Sequence, residues 1–249
     1  MKKLNIVFLG TPPFVKPIKD TLAKYFTLTD SLNEADLGIV ASFGRILTKN
    51  ELTTPKFGLI NIHPSLLPRY RGPSPIQSAI LNGDQVSGIT IIKIDEEMDH
   101  GSILYQEEIE LSDRDNFDTL SKKMFLRSAE VLPKVIEDFV SGKIKPAPQN
   151  HELATFCKTL TRKDGYFDIN SPPSKEQLDK MIRAYFPWPG VWTKWHNKIV
   201  KFLPSASHPE LDKSCLTTTG SIKYLIQMEG KKVISLQDFL NGYPDFPIR

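Results

Sequence analysis

The feature that most constrains the fold is residues 59–72, which read Leu-Ile-Asn-Ile-His-Pro-Ser-Leu-Leu-Pro-Arg-Tyr-Arg-Gly. The beginning is typical of a strand, and because side chains alternate along a strand, Asn61 and His63 project from one face. Pro64 and Pro68 then require a shaped loop. An amide and an imidazole at a strand end suit the polarisation of a carbonyl. The alternative is a buried polar pair that satisfies the loop backbone, the commoner role of such groups.

Composition predicts a soluble globular protein, since 40% of the 249 residues are apolar and 24% are charged. No apolar run approaches the roughly 20 residues that span a bilayer, and residues 4–10 are too short for the core of a signal peptide. Cys157 and Cys215 are far apart and lack metal-ligand spacing, which predicts thiols in a reducing compartment. We therefore expect a cytoplasmic monomer with no metal and no membrane contact.

Strand and helix patterns alternate in the first part of the chain, which predicts an α/β domain. Strands are predicted at residues 4–10, 35–44, Leu59–His63, 87–95 and 101–111. Helices are predicted at residues 15–26, 45–52, Pro75–Asn82 and 118–140. Pro133 should kink or divide the last helix. The first strand–turn–helix lacks a Gly-x-Gly-x-x-Gly fingerprint, so we expect no nucleotide cofactor.

The second part of the chain has a different pattern. Residues 145–150, Lys-Pro-Ala-Pro-Gln-Asn, indicate a linker, and we place it at 149–165, between domains at 1–148 and 166–249. A helix is predicted at 174–185, and short strands are predicted at residues 191–196, Lys198–Pro204, 220–227 and 231–235. Short strands separated by turns indicate a small antiparallel barrel or sheet.

Charge is distributed unevenly between the two parts. Residues 1–149 carry a formal net charge of −1 and residues 150–249 one of +4. The positive charge suits a module that contacts a polyanion, with Lys194, Lys198 and Lys201 as candidate contacts, although a solvated basic face explains it as well. Lys194 and Lys198 share a strand face if no turn intervenes.

Asp99 adds a carboxylate to Asn61 and His63. A carboxylate beside an imidazole fixes its tautomer and favours its protonated form. The trio suits acyl transfer to an amine, in which Asn61 and His63 hold the carbonyl oxygen and Asp99 takes the proton that nitrogen loses. No Ser or Cys elbow with a base is evident, which favours direct transfer over a covalent acyl-enzyme. His100 is a candidate surface residue or metal ligand, and the lack of ligand spacing favours the former.

Several other side chains have two interpretations each. Arg69 and Arg71 are candidates to clamp an anionic substrate, or to pair with nearby carboxylates. Trp188, Trp192 and Trp195 suit a hydrophobic core, or a stacking platform for nucleic acid.

Two motifs carry a family resemblance. Residues 61–72 and residues 94–101, Ile-Asp-Glu-Glu-Met-Asp-His-Gly, resemble the signature of the formyltransferases that use 10-formyltetrahydrofolate. Ile-Arg-Ala-Tyr-Phe-Pro-Trp-Pro-Gly at residues 182–190 is similar to the C-terminal module of the branch that formylates initiator methionyl-tRNA. The resemblance implies a Rossmann-like domain with a reduced, mostly parallel sheet, followed by a small OB-like barrel that helps bind the tRNA.

The same resemblance implies roles for individual residues. It makes Asn61, His63 and Asp99 the catalytic trio. It places the folate co-substrate against Ser65, Leu66, Leu67 and Pro68, against Phe43, Gly44, Ile46 and Leu47, and against Asp95 and Met98. Alternatives are a formyltransferase for nucleotide-linked amino sugars and a non-catalytic folate- or RNA-binding protein.

The chain departs from the family pattern in two places. Before residue 36 the family usually has several dozen more residues, including a basic loop that reaches the tRNA, so the sheet should be smaller here. His100 and Glu97 stand where the family usually has a small hydroxyl residue and often glycine. Both border the predicted folate pocket.

Overall fold

The structure, a computed structural model, describes residues 3–11, 13–205 and 224–248. The chain divides into two compact units. The first comprises Met1–Ala79, Asp84–Asp113 and Thr119–Thr159, and the second Ile80–Gly83, Arg114–Asp118 and Leu160–Arg249. Of the predicted linker, residues 149–159 therefore lie in the first unit and 160–165 in the second.

The first unit is built on a six-stranded sheet in the order β2-β1-β3-β4-β5-β6. Its strands are β1 (Asn5–Gly10), β2 (Thr27–Thr29), β3 (Leu37–Ala41), β4 (Leu59–His63), β5 (Val86–Lys93) and β6 (Ile103–Glu110). Strands β1 to β4 pair in parallel, whereas β5 and β6 are joined by antiparallel pairings. The sheet is therefore mixed, and its parallel pairings outnumber the antiparallel ones.

Four helices accompany this sheet: α1 (Lys16–Tyr25), α2 (Lys49–Thr53), α3 (Pro75–Asn82) and α4 (Phe117–Val140). Helix α2 begins later than predicted because Thr48 and Glu51 form a capping box that fixes its start. The predicted division of α4 is wrong, since Pro133 lies inside one continuous helix. The short strand β2 was not predicted.

The core of the first unit joins the sheet to its helices. Apolar side chains such as Ile39 and Ile60 pack in one cluster with Phe125, Leu132 and Ile136 of α4. Complete burial of such a side chain stabilises the fold by about 1.5–3 kcal/mol. The alternating side chains of β4 thus leave Asn61 and His63 for the opposite face of the sheet.

The second unit contains a four-stranded antiparallel sheet in the order β10-β9-β8-β7. Its elements are α5 (Lys175–Tyr185), β7 (Val191–Trp195), β8 (Lys198–Pro204), β9 (Tyr224–Met228), β10 (Ile234–Ser235) and α6 (Leu236–Gly242). Helix α6 was not predicted. In the described part of this unit the sheet is open, with β7 and β10 at its edges. Residues 220–223 of one predicted strand lie outside the described residues.

The three tryptophans occupy different environments in this unit. The buried ring of Trp195 packs edge-on against Phe246, with 5.2 Å between ring centroids. Trp188 is exposed, and Trp192 is half-buried and lies 4.8 Å from Tyr166. The core interpretation therefore holds for Trp195 alone.

The β7–β8 hairpin sorts its lysines onto two faces. His196 and Asn197 form the turn with positive φ values of 46° and 59°, so the condition for Lys194 and Lys198 to share one face, that no turn intervenes, is not met. Opposite residues of an antiparallel pair project to the same side. Lys198 pairs with buried Trp195, whereas Lys194 pairs with Ile199 on the other face.

No helix in the described part of the chain is both long and apolar enough to cross a bilayer.

Candidate active site

The site begins at the end of β4, between β3 and β5. His63 pairs with Thr90 of β5, and Asn61 lies between Val40 and Ile92. Only 4% of His63 is exposed, and Asn61 is half-buried. Strand alternation therefore places the amide and the imidazole on one face, as predicted from their spacing.

Asp99 completes the predicted trio. Its Oδ1 lies 3.3 Å from Nδ2 of Asn61, which donates to it, and 3.5 Å from Nδ1 of His63. Its Oδ2 accepts a 2.8 Å hydrogen bond from the backbone N–H of Gly72. The side chain is 13% exposed, so the carboxylate remains within reach of solvent. The structure thus brings the amide of Asn61 and the imidazole of His63 together at the carboxylate of Asp99.

Asp99 reaches the site on the loop between β5 and β6. Strand β5 is antiparallel to β4, and its end is held beside the start of β4 by the 2.9 Å bond from Ile94 N to Leu59 O. Residues 94–102 must therefore turn back along β4 to bring Asp99 to Asn61. Asp99 has a φ of 51°, a left-handed conformation that Asp adopts more readily than most residues.

The tautomer of His63 is fixed by the loop rather than by Asp99. Nε2 lies 2.9 Å from the carbonyl oxygen of Tyr70. Because a carbonyl oxygen only accepts, Nε2 carries the hydrogen and donates it. Nδ1 is consequently the nitrogen that faces Asp99. One ring nitrogen satisfies the loop backbone, as the structural interpretation of the polar pair predicts, and the other faces Asp99.

The loop after β4 is anchored to the sheet by two polar side chains, the buried Thr90 and the exposed Gln106. Thr90 donates to the carbonyl of Ser65 at 2.6 Å and accepts from the backbone N–H of Leu67 at 3.1 Å. Gln106 donates to the carbonyl of Leu67 at 2.8 Å. The side chains of Ser65 and Leu67 are buried, whereas Leu66 and Pro68 are half-buried. Exposed atoms for a folate contact in this segment therefore come mainly from Leu66 and Pro68.

The other predicted folate contacts lie on two loops. Phe43, Gly44, Ile46 and Leu47 follow β3, where Ile46 is 80% exposed. Arg45 covers the Phe43 ring at 4.9 Å and bonds to Glu51, whose pKa that bond lowers to about 2. Met98, 56% exposed, lies with Asp95 on the β5–β6 loop. These loops therefore expose apolar side chains beside polar ones.

The two loop arginines have different environments. Arg69 is exposed and donates to Asp84 at 2.8 Å. Arg71 is only 4% exposed, and its guanidinium donates to Oε1 of Gln149 and to Nδ1 of His151, with Nη2 distances of 2.7 and 2.8 Å. Arg71 is thus held inside the protein, and Arg69 is the better placed of the two to meet an anionic substrate.

Sequence reasoning missed the part that residues 147–158 play, which we call the return segment. Its backbone pairs with the loop after β4, since Arg71 N donates to Thr155 O and Cys157 N donates to Arg71 O, each at 2.8 Å. Thr155 Oγ1 accepts from Tyr70 N at 2.8 Å. The Pro-Ala-Pro sequence at residues 146–148 indicates a linker, and no local pattern signals a partner some eighty residues away.

His100 is neither exposed nor part of a metal centre in the described chain. Its Nδ1 lies 2.6 Å from Asp95 Oδ2, and its ring stacks on His151 with 4.0 Å between centroids. Among the described residues, no group of three or more His, Cys, Asp or Glu side chains is arranged to hold a metal ion.

Comparison with known proteins assigns the chain to a family. Residues 21–136 match the formyl transferase family, and residues 160–225 match the formyl transferase C-terminal domain. The chain therefore belongs to the formyl transferase family.

Its curated relatives carry a narrower description. The methionyl-tRNA formyltransferase of Roseiflexus castenholzii is 43% identical over 222 residues, which cover 83% of this chain and 70% of that protein. That of Thermodesulfovibrio yellowstonii is 36% identical over 242 residues, or 92% of this chain and 77% of that protein. A third methionyl-tRNA formyltransferase, from Roseiflexus sp. strain RS-1, is 45% identical over 68% of this chain. The match covers 51% of that protein, so the chain spans about half of its length.

Solved structures show the same fold. Methionyl-tRNA formyltransferase from Clostridium thermocellum superposes with a TM-score of 0.64 at 18% identity, over 93% of this chain and 96% of that one. HypX from Aquifex aeolicus in complex with tetrahydrofolic acid superposes with a TM-score of 0.70 at 16% identity, over 82% of this chain and 38% of that one. The prediction of a Rossmann-like formyltransferase domain is confirmed.

Proposed function

We propose that this chain transfers a formyl group from 10-formyltetrahydrofolate to the amino group of initiator methionyl-tRNA. The observation that carries the proposal is the convergence of Asn61, His63 and Asp99 at the end of β4, inside the residues that match the formyl transferase family. The choice of acceptor is supported by relatives at 36–45% identity, which are methionyl-tRNA formyltransferases. A cytoplasmic location and a monomeric state remain predictions.

Bound 10-formyltetrahydrofolate supplies the formyl carbon that the amine attacks. Asn61 uses one hydrogen of Nδ2 for Asp99 and has a second to donate to the formyl oxygen as negative charge develops there. His63 adds a donor and a positive charge at the same place when Nδ1 is protonated, because Nε2 is engaged with Tyr70. The two residues thereby stabilise the developing oxyanion.

Asp99 manages the proton of the reaction. Its Oδ2 is held by Gly72, so Oδ1, which faces both Asn61 and His63, is the oxygen that takes the proton from the attacking nitrogen. The new carbon–nitrogen bond forms as the bond to the folate nitrogen breaks, and that nitrogen leaves with a proton. Direct transfer is supported by Cys157, because burial raises the pKa of its thiol and keeps it a weak nucleophile.

The folate site is proposed on the loops that flank the trio. Ile46 and Met98 are large apolar side chains exposed on separate loops of the first unit, and exposed apolar groups often mark binding surfaces. Phe43, Leu47, Leu66 and Pro68 extend this apolar set. Asp95, oriented by His100, supplies an acceptor for amino groups of the pterin ring.

The second unit is proposed to bind the tRNA, in a small OB-like barrel. Lys201 pairs with Trp192 on the same sheet face as Lys194, and the guanidinium of Arg162 lies 5.3 Å above the Trp192 ring. Arg162 and Lys201 also line an open groove of about 250 Å³. Cations beside an aromatic ring suit contact with both phosphates and bases.

The test is to incubate the purified protein with 10-formyltetrahydrofolate and charged initiator tRNA, and to detect formylmethionine by mass spectrometry after hydrolysis of the ester bond. A parallel reaction offers a nucleotide-linked amino sugar instead. We expect formylmethionine only. Formylation of the sugar would replace the proposed acceptor, and folate binding without transfer to either acceptor would indicate a non-catalytic binding protein.

A further inference from the structure

Gln149 is a buried amide for which the proposed reaction has no direct use. It is 5% exposed and lies in the return segment, and its four hydrogen bonds go to Arg71 and to backbone carbonyls rather than to a side chain of the trio. Its Nε2 donates to the carbonyl oxygens of Asp99 and Gly101, at 2.9 and 2.8 Å. Its Oε1 accepts from Nε and Nη2 of Arg71, at 3.2 and 2.7 Å. Both amide hydrogens and both oxygen lone pairs are therefore engaged.

The backbone that Gln149 holds is tightly constrained. Asp99 has a φ of 51°, and a Cβ added to Gly101 would come within 1.8 Å of the carbonyl oxygen of Lys93. The position of the Asp99 side chain thus depends on a loop that turns sharply. The two hydrogen bonds from Gln149 fix the carbonyl groups of Asp99 and Gly101, on either side of His100. An apolar side chain at position 149 would leave those carbonyls without these donors.

Arg71 connects the same amide to the other half of the site. Its neighbour Tyr70 supplies the carbonyl that binds Nε2 of His63. Its other neighbour, Gly72, supplies the N–H that binds Oδ2 of Asp99. Gln149 therefore joins the loop that carries Asp99 to the segment that orients both His63 and Asp99.

We propose that Gln149 is a positioning residue, which sets the distance between Asp99 and His63 without contacting either substrate. The inference rests on the proposed formyl transfer for its kinetic consequence. Small misplacements of catalytic groups are costly, because an error of about 1 Å can lower a rate on the order of 100-fold. Loss of the two Nε2 bonds should therefore lower kcat and leave the KM for 10-formyltetrahydrofolate nearly unchanged.

Two variants of similar size separate the two ends of the amide. Gln149→Glu keeps an acceptor for Arg71 but loses both donors to the loop, whereas Gln149→Met loses both ends. We expect kcat to fall about 10- to 100-fold in both variants, with KM for the folate within about twofold of the wild type. Ile136→Val, a buried change in α4, is the control for general destabilisation, and it should lower the melting temperature without changing kcat.

A measurement that needs no activity accompanies the kinetics. Amide hydrogen exchange at Gly72 reports the bond to Asp99, and we expect its protection to fall at least tenfold in Gln149→Glu and to persist in Ile136→Val. Unchanged Gly72 protection, or a Gln149→Glu variant with wild-type kcat, would overturn the positioning role. If the wild-type protein transferred no formyl group to methionyl-tRNA, the proposed function would fail, while the exchange measurement would still decide the role of Gln149.

Discussion

Replacement of Asp99 by Asn separates chemistry from structure at the site. An Asn side chain keeps one oxygen, which accepts the N–H of Gly72 as Oδ2 does now. Its amide nitrogen then takes the place of Oδ1, where it can donate to Nδ1 of His63 but no longer accepts from Asn61. The left-handed backbone, with a φ of 51°, suits Asn as well as Asp. The substitution therefore fits the local structure, and it removes the proton acceptor together with the long hydrogen bond from Asn61.

Asp99→Asn should have a small effect on the free energy of unfolding and a large effect on the rate. A hydrogen bond to a charged group contributes about 1.5–3 kcal/mol. The bond from Asn61 is long, at 3.3 Å, and is offset by the new bond to His63, so the free energy of unfolding should fall by about 1 kcal/mol or less. Loss of a general base lowers a rate about 10²–10⁴-fold, or about 2.7–5.5 kcal/mol in activation free energy.

The assay measures kcat for formylmethionine formation together with a thermal melt of each variant. Asp36→Asn is the matched control, because Asp36 Oδ2 also accepts a backbone N–H, from Asn5 at 2.9 Å, at a carboxylate outside the site. It should retain wild-type kcat. An Asp99→Asn variant with normal melting and a kcat within about threefold of the wild type would refute the assignment of Asp99 as proton acceptor.

Three further outcomes are expected. Gly72→Ala should cost more stability in a denaturant melt than Gly142→Ala, for which left-handed strain alone costs about 1–2 kcal/mol. The reason is that a Cβ added at position 72 lies 2.4 Å from the carbonyl oxygen of Cys157, whereas one added at position 142 meets nothing within 4 Å. Equal losses would contradict the close approach at position 72. The raised pKa of Cys157 predicts slower alkylation than that of a free cysteine at pH 8–9, measured by peptide mapping; an equal rate would contradict the burial. In tRNA-binding titrations, Lys201→Ala should reduce the slope of log affinity against log salt concentration by about 0.7–0.9, and Lys198→Ala on the opposite face should leave it unchanged. Identical slopes for the two variants would place the contact elsewhere.

Local patterns predicted the parts of the fold that depend on local chemistry. Strand β4 and helix α3 match their predicted bounds, since prolines or an Asn-Gly pair delimit both. The three-residue strand β2 is too short to show a periodic pattern. Pro133 was expected to interrupt α4, but tertiary packing of the buried helix face outweighs this local effect.

Some features of the candidate site follow from the local sequence, and others depend on distant segments. The placement of Asn61 and His63 follows from alternation along a strand, and their meeting with Asp99 agrees with the family resemblance. The tautomer of His63 and the role of Gln149 depend on hydrogen bonds to backbone groups of distant segments. Composition near Gln149 indicates only a linker. A sequence shows which backbone groups exist, but it does not show which distant side chain will bind them.

The return segment also determines where this protein can be shortened. A chain that stops at Pro148 would leave Arg71 without its Gln149 and His151 partners. It would also lose the main-chain hydrogen bonds that join Thr155 and Cys157 to the loop after β4. A chain that stops at Thr159 keeps all of these contacts. Proteolysis within residues 150–158 should therefore inactivate formyl transfer even though every residue of the trio remains attached to β4 and its loops. The proposed activity should therefore depend on a stretch whose composition resembles a dispensable linker.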